Sequence, residues 1–435
     1  MAQNYQNQSY PAAYGQMPAG QPYAAQPQPV QQPAVPVQPV GQPVQPAAQP
    51  AQQQQAAPAQ PVPAEQQPAP TQPAMPYTPY PQAGGYYYLN GYPIQPNNPY
   101  YYNPALAQQE YEKRLKVEKA KKSLRYLGNM SGLSVILFLV FNTVASMVLT
   151  IPGIYEIYRK DAVFSGAFYI VASFFYMFLP FLIVSFLIRL KDKEVRFFPF
   201  KKMKPKRALL CIPIGLTICI GANIIVNLII TLFESFGLEL SQQSDSLAKP
   251  QTAFALFISL VSTAVMPALL EEFAIRGVIL QPARRYGMAF AIISSSVIFG
   301  VMHGNLIQAP FAFMVGVCFA FLAIKCDSLW IGVILHFLNN GFSVVMSYLQ
   351  GSMKEAHFNL LYYCIIGAVA LAGIVCFVVL LLTDKPFFKK SEGDIAGEEA
   401  TLLTKGQKFV AFFINAPTII SFILIGLLTL QYISK

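Results

Sequence analysis

Three charged residues lie inside one of the most apolar stretches of this 435-residue sequence: Glu271, Glu272 and Arg276, in the run PALLEEFAIRGVIL. A charged side chain in hydrocarbon costs roughly 2.5–3.5 kcal/mol even on lenient insertion scales, so such a residue is usually paired, lines a cavity or is functional. Glu272 and Arg276 are four residues apart on one helical face and can pair with each other. Glu271 points about 100° away and has no evident partner in its own helix. It is the carboxylate that needs a functional explanation.

Two of the three histidines, His303 and His336, also lie in apolar stretches, SSSVIFGVMHGN and WIGVILHFLNNGF. His336 and Asn340 are four residues apart, so their side chains share a helical face. Taken singly, each of these residues could be a polar contact between packed helices. Together with Glu271 they predict a carboxylate, two imidazoles and a carboxamide around one intramembrane cavity.

The spacing of two of these residues predicts that they meet. Gly287 marks a predicted turn between two helices, with Glu271 sixteen residues before it and His303 sixteen residues after it. In an antiparallel hairpin both side chains then fall at one depth, roughly 24 Å along each helix from the turn. His336 is only eight or nine residues into its own apolar stretch, so it is expected to lie shallower unless the helices tilt or residues 276–286 lie at the membrane interface.

The chemistry open to such a cavity is hydrolysis of an amide. The sequence contains no Gly-x-Ser-x-Gly, no phosphate-binding glycine loop and no HExxH. A buried glutamate beside a histidine can deprotonate a water, and a neighbouring histidine and asparagine can donate hydrogen bonds to the oxyanion. Alternatively, Glu271, His303 and His336 could ligate a catalytic zinc that keeps one position for water. Both chemistries stay open at this stage.

The elements that must position these residues are membrane helices. Apolar residues make up 54% of the sequence and charged residues only 11%, well under the roughly 25% charged share of soluble domains. Nine apolar stretches are candidate spans, the fifth being short for a crossing: 131–151, 162–188, 208–233, 252–275, 288–304, 306–325, 329–349, 358–383 and 409–432. The predicted fold is an all-α polytopic membrane protein with about eight or nine transmembrane helices.

A tail rich in Gln, Pro, Ala and Tyr occupies residues 1–105 and is too poor in Leu, Ile and Phe to bury a core. It predicts a disordered cytoplasmic segment that either binds a partner of unknown kind or is a solvated spacer. Residues 106–128 predict a basic juxtamembrane helix that lies against anionic lipid headgroups. The rest divides into the first three transmembrane helices at 129–250, a catalytic core at 251–350 and C-terminal transmembrane helices at 351–435.

The basic residues predict how the protein is oriented in the cell membrane. Of the 30 Lys and Arg residues, 25 lie in segments on the same side as the N-terminus. Because cytoplasmic segments carry the excess of basic residues, this distribution places the N-terminus in the cytoplasm. The net charge of +10 is explained by orientation, so the sequence predicts no nucleic-acid partner.

Three segments of the predicted core resemble the motifs of one family. EEFAIR (Glu271–Arg276) matches its EExxxR motif, FGVMH (Phe299–His303) its FxxxH and HFLNN (His336–Asn340) its HxxxN. In this order and in successive spans, they resemble the CAAX protease and bacteriocin-processing (CPBP/Abi) family of intramembrane endopeptidases, which includes the Ras-converting CAAX prenyl proteases. The resemblance covers residues 250–350.

The resemblance implies an all-helical fold with a cavity open to the cytosol and the bilayer. Glu271 would be the general base that activates water, helped by His303, while His336 and Asn340 would form the oxyanion hole. The family leaves open whether a divalent metal such as zinc is also needed. Its eukaryotic members cleave C-terminal tripeptides from prenylated proteins, so the implied substrate is a membrane-associated or prenylated protein or peptide.

Within the resemblance, Glu272 and Arg276 organise the site. Two other classes of protein could carry the same residues. A non-catalytic membrane scaffold or bacteriocin-immunity protein would use the polar cluster for helix packing, but it gains nothing from the unpaired carboxylate of Glu271. A transporter with a proton-relay glutamate predicts inverted repeats, and no second EE segment matches the first. The predicted function is therefore an intramembrane endopeptidase.

Overall fold

The computed structural model of the protein describes residues 87–89, 92–94, 104–193, 195, 197, 203–240, 248–389 and 397–434. The chain divides into two units, residues 20–108 and the remainder. In the smaller unit a short antiparallel hairpin pairs β1 (Tyr87–Leu89) with β2 (Tyr92–Ile94). This hairpin lies within the stretch predicted as a disordered tail, and its sequence YYLNGYPI has Asn-Gly between two tyrosine-containing stretches, a common hairpin pattern. Most of the predicted tail lies outside the described residues.

The other elements are almost all helices. In chain order they are α1 (Pro104–Met147), α2 (Ile154–Lys160), α3 (Ala162–Ser173), α4 (Leu179–Lys191), α5 (Pro205–Ser235), α6 (Ala253–Leu260), α7 (Met266–Glu272), α8 (Gln281–Ala283), α9 (Met288–Met302), α10 (Gln308–Lys325), α11 (Trp330–Ser352), α12 (Glu355–Thr383), α13 (Lys385–Phe388), α14 (Glu399–Leu402), α15 (Lys405–Phe413) and α16 (Ala416–Leu430). Two 3₁₀ turns occupy Val148–Thr150 and Arg284–Tyr286, and β3 (Glu239–Leu240) pairs antiparallel with β4 (Ile433–Ser434).

Three π-helical segments join neighbouring helices without a break in the chain direction. Phe174–Phe178 joins α3 to α4, Val261–Val265 joins α6 to α7, and Phe273–Leu280 joins α7 to α8. A π-helical turn contains an extra residue, so it shifts the helical phase of everything that follows and often occurs at functional sites. Two of the three segments flank α7, which carries the paired glutamates.

Seven helical segments of the described chain are long and apolar enough to cross a membrane. They are Gln108–Thr150, Ala162–Lys191, Pro205–Ser235, Ala253–Tyr286, Gln308–Lys325, Trp330–Ser352 and Glu355–Thr383. The bent pair α15 and α16 makes an eighth when it is counted as one span. The predicted all-α polytopic membrane fold is confirmed.

Two of the nine predicted spans are not simple crossings. The fifth is α9, whose 15 residues reach about 22 Å at 1.5 Å per residue, less than the ~30 Å of a hydrocarbon core. The ninth is α15 and α16, which meet at a 71° bend. Asn415 makes this break: its side-chain oxygen accepts from Thr418 N at 3.1 Å, and its amide donates to Phe412 O at 2.6 Å. One side chain therefore caps α16 and closes α15.

The basic juxtamembrane segment and the first span were predicted as separate helices, and the structure joins them in the 44-residue helix α1. After Pro104 no proline interrupts this run, and its many Lys, Glu and Leu residues favour helix. The basic part of α1 contacts two segments that are distant in the sequence. Lys116 pairs with Glu398 at 2.8 Å, and Ser123 accepts a hydrogen bond from Arg285 at 3.2 Å.

The apolar core lies where the helices that carry the predicted site residues meet. α9 packs along α10, and α11 packs against α5, α7 and the π-helical segment Val261–Val265. Ile275, Ile298 and Ile331, from three different helical segments, are completely buried there. This packing surrounds the end of α7 with protein on all sides.

Candidate active site

The paired glutamates end α7 inside the apolar core. Glu271 is 1% exposed and Glu272 is 0% exposed, and Arg276, one turn later, is also 0% exposed. Arg276 Nη1 lies 2.9 Å from Glu272 Oε1. The predicted ion pair four residues apart is therefore present and wholly buried.

Aromatic rings and a backbone carbonyl surround the Arg276 guanidinium on the sides that Glu272 leaves open. Its central carbon lies 4.7 Å from the ring centre of Phe299 and 5.6 Å from that of Phe319. Its Nη2 lies 3.4 Å from the carbonyl oxygen of Gly316. A desolvated guanidinium gains from aromatic faces as well as from its carboxylate, so three helical segments hold the charge in place.

His336 lies between the two carboxylates. Its Nδ1 is 3.3 Å from Glu272 Oε1, and its Nε2 is 3.8 Å from Glu271 Oε2. The carboxylate can only accept, so Nδ1 carries the proton that is donated to Glu272. Glu272 thereby fixes the tautomer of the neutral ring and turns Nε2 toward Glu271.

The expectation that His336 lies shallower than Glu271 is wrong, because their side chains are 3.8 Å apart. That expectation counted 1.5 Å per residue along regular α-helices. The segment from Ala253 to Tyr286 instead alternates α and π turns, and α9 and α11 pack against it from different sides. Residue counting from Gly287 therefore misplaces the depths.

His303 lies directly after α9 and is joined to the cluster through Phe299. Its Nδ1 is 2.8 Å from Phe299 O, and its ring contacts the Phe299 ring edge-on with centres 4.9 Å apart. The Phe299 ring also lies edge-on to His336, with centres 6.3 Å apart. Because a carbonyl only accepts, His303 Nδ1 donates, and Nε2 is the acceptor nitrogen of the neutral ring.

Asn340 lies one turn beyond His336 on α11. Its Nδ2 donates to Thr263 O at 3.2 Å, and its Oδ1 accepts from Asn339 Nδ2 at 3.1 Å. Thr263 belongs to the π-helical segment Val261–Val265. A carboxamide has two N–H groups, so Asn340 keeps one for a further acceptor.

Two residues of the cluster were missed in the sequence. Phe319 contacts both Arg276 and His336, with the His336 ring centre 6.2 Å away. Gly332 faces Glu272 so closely that a Cβ at this position would clash with Glu272 Oε2. A signal for Gly332 was present, because it precedes His336 by four residues and therefore shares its helical face. No sequence signal identified Phe319.

We expect Gly332→Ala to lower the free energy of unfolding by about 1–3 kcal/mol, the usual cost of overpacking a buried site. The new methyl group would push the Glu272 carboxylate away from Arg276 or His336. Thermal unfolding in detergent measures the loss. Gly341→Ala on the same helix is the matched control, because its Cβ would meet Ala264 and Leu260 at an ordinary 3.8 Å. Equal melting temperatures for the two variants would contradict the close contact with Glu272.

The predicted zinc ligands are Glu271, His303 and His336. Within the described residues, no three His, Cys, Asp or Glu side chains are arranged to hold a metal. The Nδ1 of His336 donates to Glu272 and that of His303 donates to a carbonyl, which leaves Nε2 of each ring as the nitrogen that could ligate. As placed, the side chains of Glu271, His303 and His336 do not come together as the ligands of one metal ion.

Comparison with known proteins gives one family match, over the part of the chain that holds the cluster. Residues 253–342 match the model of the type II CAAX prenyl endopeptidase Rce1-like family. The membrane-embedded CAAX protease MroQ of Staphylococcus aureus (strain USA300) is 27% identical over 181 residues, which are 39% of this chain and 71% of that protein. The "Putative membrane peptidase YdiL" of Bacillus subtilis (strain 168) is 29% identical over 93 residues, 21% of this chain and 38% of that protein. No solved structure matches the chain.

These matches confirm the family resemblance that the three motifs carry. All three motifs, EEFAIR, FGVMH and HFLNN, lie within the matched residues 253–342. The family and the names of the relatives support a membrane protease. They leave the reaction mechanism, the substrate and the role of each residue to be argued from the geometry.

Proposed function

We propose, on the premise that residues 253–342 form a domain of the Rce1-like family, that this chain is an intramembrane endopeptidase. Glu271 is its general base, and water is its nucleophile. One observation carries the proposal: a fully buried carboxylate oxygen, Glu271 Oε2, has no hydrogen-bond partner among the described residues and lies 3.8 Å from His336 Nε2. A water within hydrogen-bond distance of both atoms fits this separation.

The two adjacent carboxylates, Glu271 and Glu272, differ in their hydrogen-bond and ion-pair partners. Glu272 Oε1 is held by both Arg276 and His336, at 2.9 Å and 3.3 Å. Its charge is neutralised in place, so it does not compete for the proton of a water. Glu271 Oε2 lies farther from its nearest basic group, 3.8 Å from His336 Nε2, and accepts no hydrogen bond within the described residues, which makes it the available base of the pair. This division supports Glu271 as the reacting group and Glu272 with Arg276 as the residues that organise the site.

The reaction then proceeds in two steps. Glu271 takes a proton from the water while the water oxygen attacks the carbonyl carbon of the scissile peptide bond, giving a tetrahedral oxyanion. The C–N bond breaks as the protonated Glu271 transfers that proton to the leaving amine. The products are a carboxylic acid and an amine, which exchange a proton to become a carboxylate and an ammonium, and Glu271 returns to its charged form. We propose that Asn340 donates its remaining N–H to the oxyanion.

The tautomer of His336 limits its role in this scheme. A neutral ring that donates from Nδ1 to Glu272 presents an acceptor at Nε2, so it cannot stabilise an oxyanion. A ring protonated on both nitrogens can, because Nε2 is then a donor as well. We therefore propose that His336 acts in the oxyanion hole as an imidazolium. His303 Nε2 is an acceptor in the neutral ring, which supports its proposed role of orienting the water.

The proposed substrate is a membrane-associated or prenylated (CAAX-type) protein or peptide. One relative is named a membrane-embedded CAAX protease and the other a membrane peptidase. The base at the end of α7 lies within a candidate span, so a substrate must reach it inside or at the edge of the bilayer. We also propose that the basic part of α1 binds anionic lipid headgroups and that the N-terminus lies in the cytoplasm.

We expect the purified protein in lipid vesicles to cleave a quenched fluorescent peptide with one apolar helix, and to do so in the presence of a chelator. A base-activated water needs no metal, so dialysis against 1,10-phenanthroline should leave the rate unchanged. Metal analysis of the same sample verifies that zinc is gone. Loss of cleavage that added zinc restores would overturn the glutamate-only mechanism, and vesicles lacking the protein give the background rate.

A further inference from the structure

The last helix of the chain contacts the turn that presents His303. The Oγ1 of Thr429, near the end of α16, lies 3.0 Å from the carbonyl oxygen of Gly304. The hydroxyl is the donor, because the carbonyl can only accept. α16 lies outside residues 253–342, the part that matches the family. A segment beyond the family match therefore contacts the carbonyl group of Gly304, the residue that follows His303.

The turn between α9 and α10 is a specific backbone structure. Gly304 has φ +65°, a left-handed conformation that favours glycine. Asn305 fixes both sides of it: Nδ2 donates to His303 O at 3.2 Å, and Oδ1 accepts from Gln308 N at 2.7 Å. These bonds hold the carbonyl of His303 and the start of α10. The carbonyl of Gly304 is held by Thr429.

α16 is itself anchored at both ends, so it can hold that carbonyl at a fixed position. Near its start, Thr418 Oγ1 donates to Gly128 O of α1 at 3.0 Å. After its end, Ile433 and Ser434 of β4 pair with β3, which follows α5. Thr429 is therefore fixed relative to α1 and to β3.

We propose that Thr429 is a positioning residue for His303 in the hydrolysis proposed above. Its hydroxyl fixes the Gly304 peptide group, and this group sets the backbone from which the His303 ring reaches the cluster. Thr429 touches no reacting atom. The inference rests on the proposed function, in which His303 orients the water. Misplacing a catalytic group by about 1 Å can cost up to 100-fold in rate.

A second carbonyl competes for the proton of the Thr429 hydroxyl, and the test must take it into account. Thr429 Oγ1 also lies 2.8 Å from Ile425 O of its own helix, so a single proton is shared between two carbonyls. Thr429→Ser keeps the hydroxyl and both acceptors, whereas Thr429→Val keeps the shape and removes the donor. Thr418→Val is the matched control, since it removes a hydroxyl of the same helix that donates to the carbonyl of Gly128, in α1.

The experiment follows His303 directly. The full chain contains three histidines, so ¹⁵N-histidine labelling in lipid vesicles gives few signals, and His336→Gln and His357→Gln variants assign them. We expect Thr429→Val to shift or broaden the His303 ring signals and to lower the cleavage of the single-helix fluorescent peptide about tenfold. Thr429→Ser should restore both. Thr418→Val should leave both as in the unaltered protein.

Each other outcome overturns the inference. Unchanged His303 signals in Thr429→Val would show that the hydroxyl does not position the ring, whatever the cleavage rate. Changed His303 signals with an unchanged cleavage rate would show that the position of the His303 ring does not matter for the reaction. Equal effects of Thr418→Val and Thr429→Val would show that the effect is not specific to the contact with Gly304. Failure of the proposed function is recognised separately, because then Glu271→Gln would cleave as fast as the unaltered protein. If neither cleaves the peptide, the ring signals alone decide about Thr429.

Discussion

Glu271→Gln is expected to abolish peptide-bond cleavage while the protein remains folded and inserted in the membrane. The substitution keeps the size and the hydrogen-bonding shape of the side chain but removes its basicity. General-base catalysis is worth about 10²–10⁴-fold in rate, so the remaining activity should fall below detection. Stability should be unchanged or higher, because the variant removes one of two adjacent buried carboxylates.

The measurement compares the membrane proteomes of cells that express either the unaltered protein or Glu271→Gln. New termini should appear only with the unaltered protein, and uncleaved precursors should accumulate with the variant. Glu355→Gln makes the same chemical change at an exposed position at the start of α12, so its terminal peptides should match those of the unaltered protein. Cleavage products that persist in Glu271→Gln would remove this residue as the base.

The sequence predicts those features of the candidate site that depend on residue spacing within a single helix. The pairing of Glu272 with Arg276 follows from a spacing of four residues, and it survives the change from α to π turns at Phe273. The spacing between His336 and Asn340 likewise places both on one face of α11. Local periodicity also predicted the long apolar helices, since a hydrocarbon environment tolerates little else.

The parts that the sequence does not predict depend on how helices meet. The contact between His336 and the two carboxylates needs the relative tilt of α7 and α11, which no spacing within either helix contains. The π turns beside α7 have no distinct sequence pattern. The 71° bend at Asn415 depends on a side chain that serves two helices at once. Such contacts between helices set the distances within the candidate site, so the motifs alone predict its members and leave its geometry open.

Glu272→Ala is expected to cost both the fold and the activity, which separates Glu272 from its neighbour. Removing one partner of a buried ion pair costs about 3–5 kcal/mol, because the other charge is left uncompensated. Arg276 is 0% exposed, and its remaining polar contact is Gly316 O at 3.4 Å. His336 also loses the carboxylate that fixes its tautomer, so its Nε2 no longer keeps its orientation toward Glu271.

Unfolding can be followed by the fluorescence of Trp330, the single tryptophan of the chain, at the start of α11. The Glu272→Ala variant should unfold at a clearly lower temperature than Glu271→Gln.

The double variant Glu272→Leu with Arg276→Met removes the uncompensated charge and should regain much of the stability. It should remain inactive, because His336 still lacks its carboxylate. If Glu272→Ala melts at the same temperature as the unaltered protein, the ion pair does not stabilise the fold. If the double variant cleaves the peptide, Glu272 is not needed to orient His336.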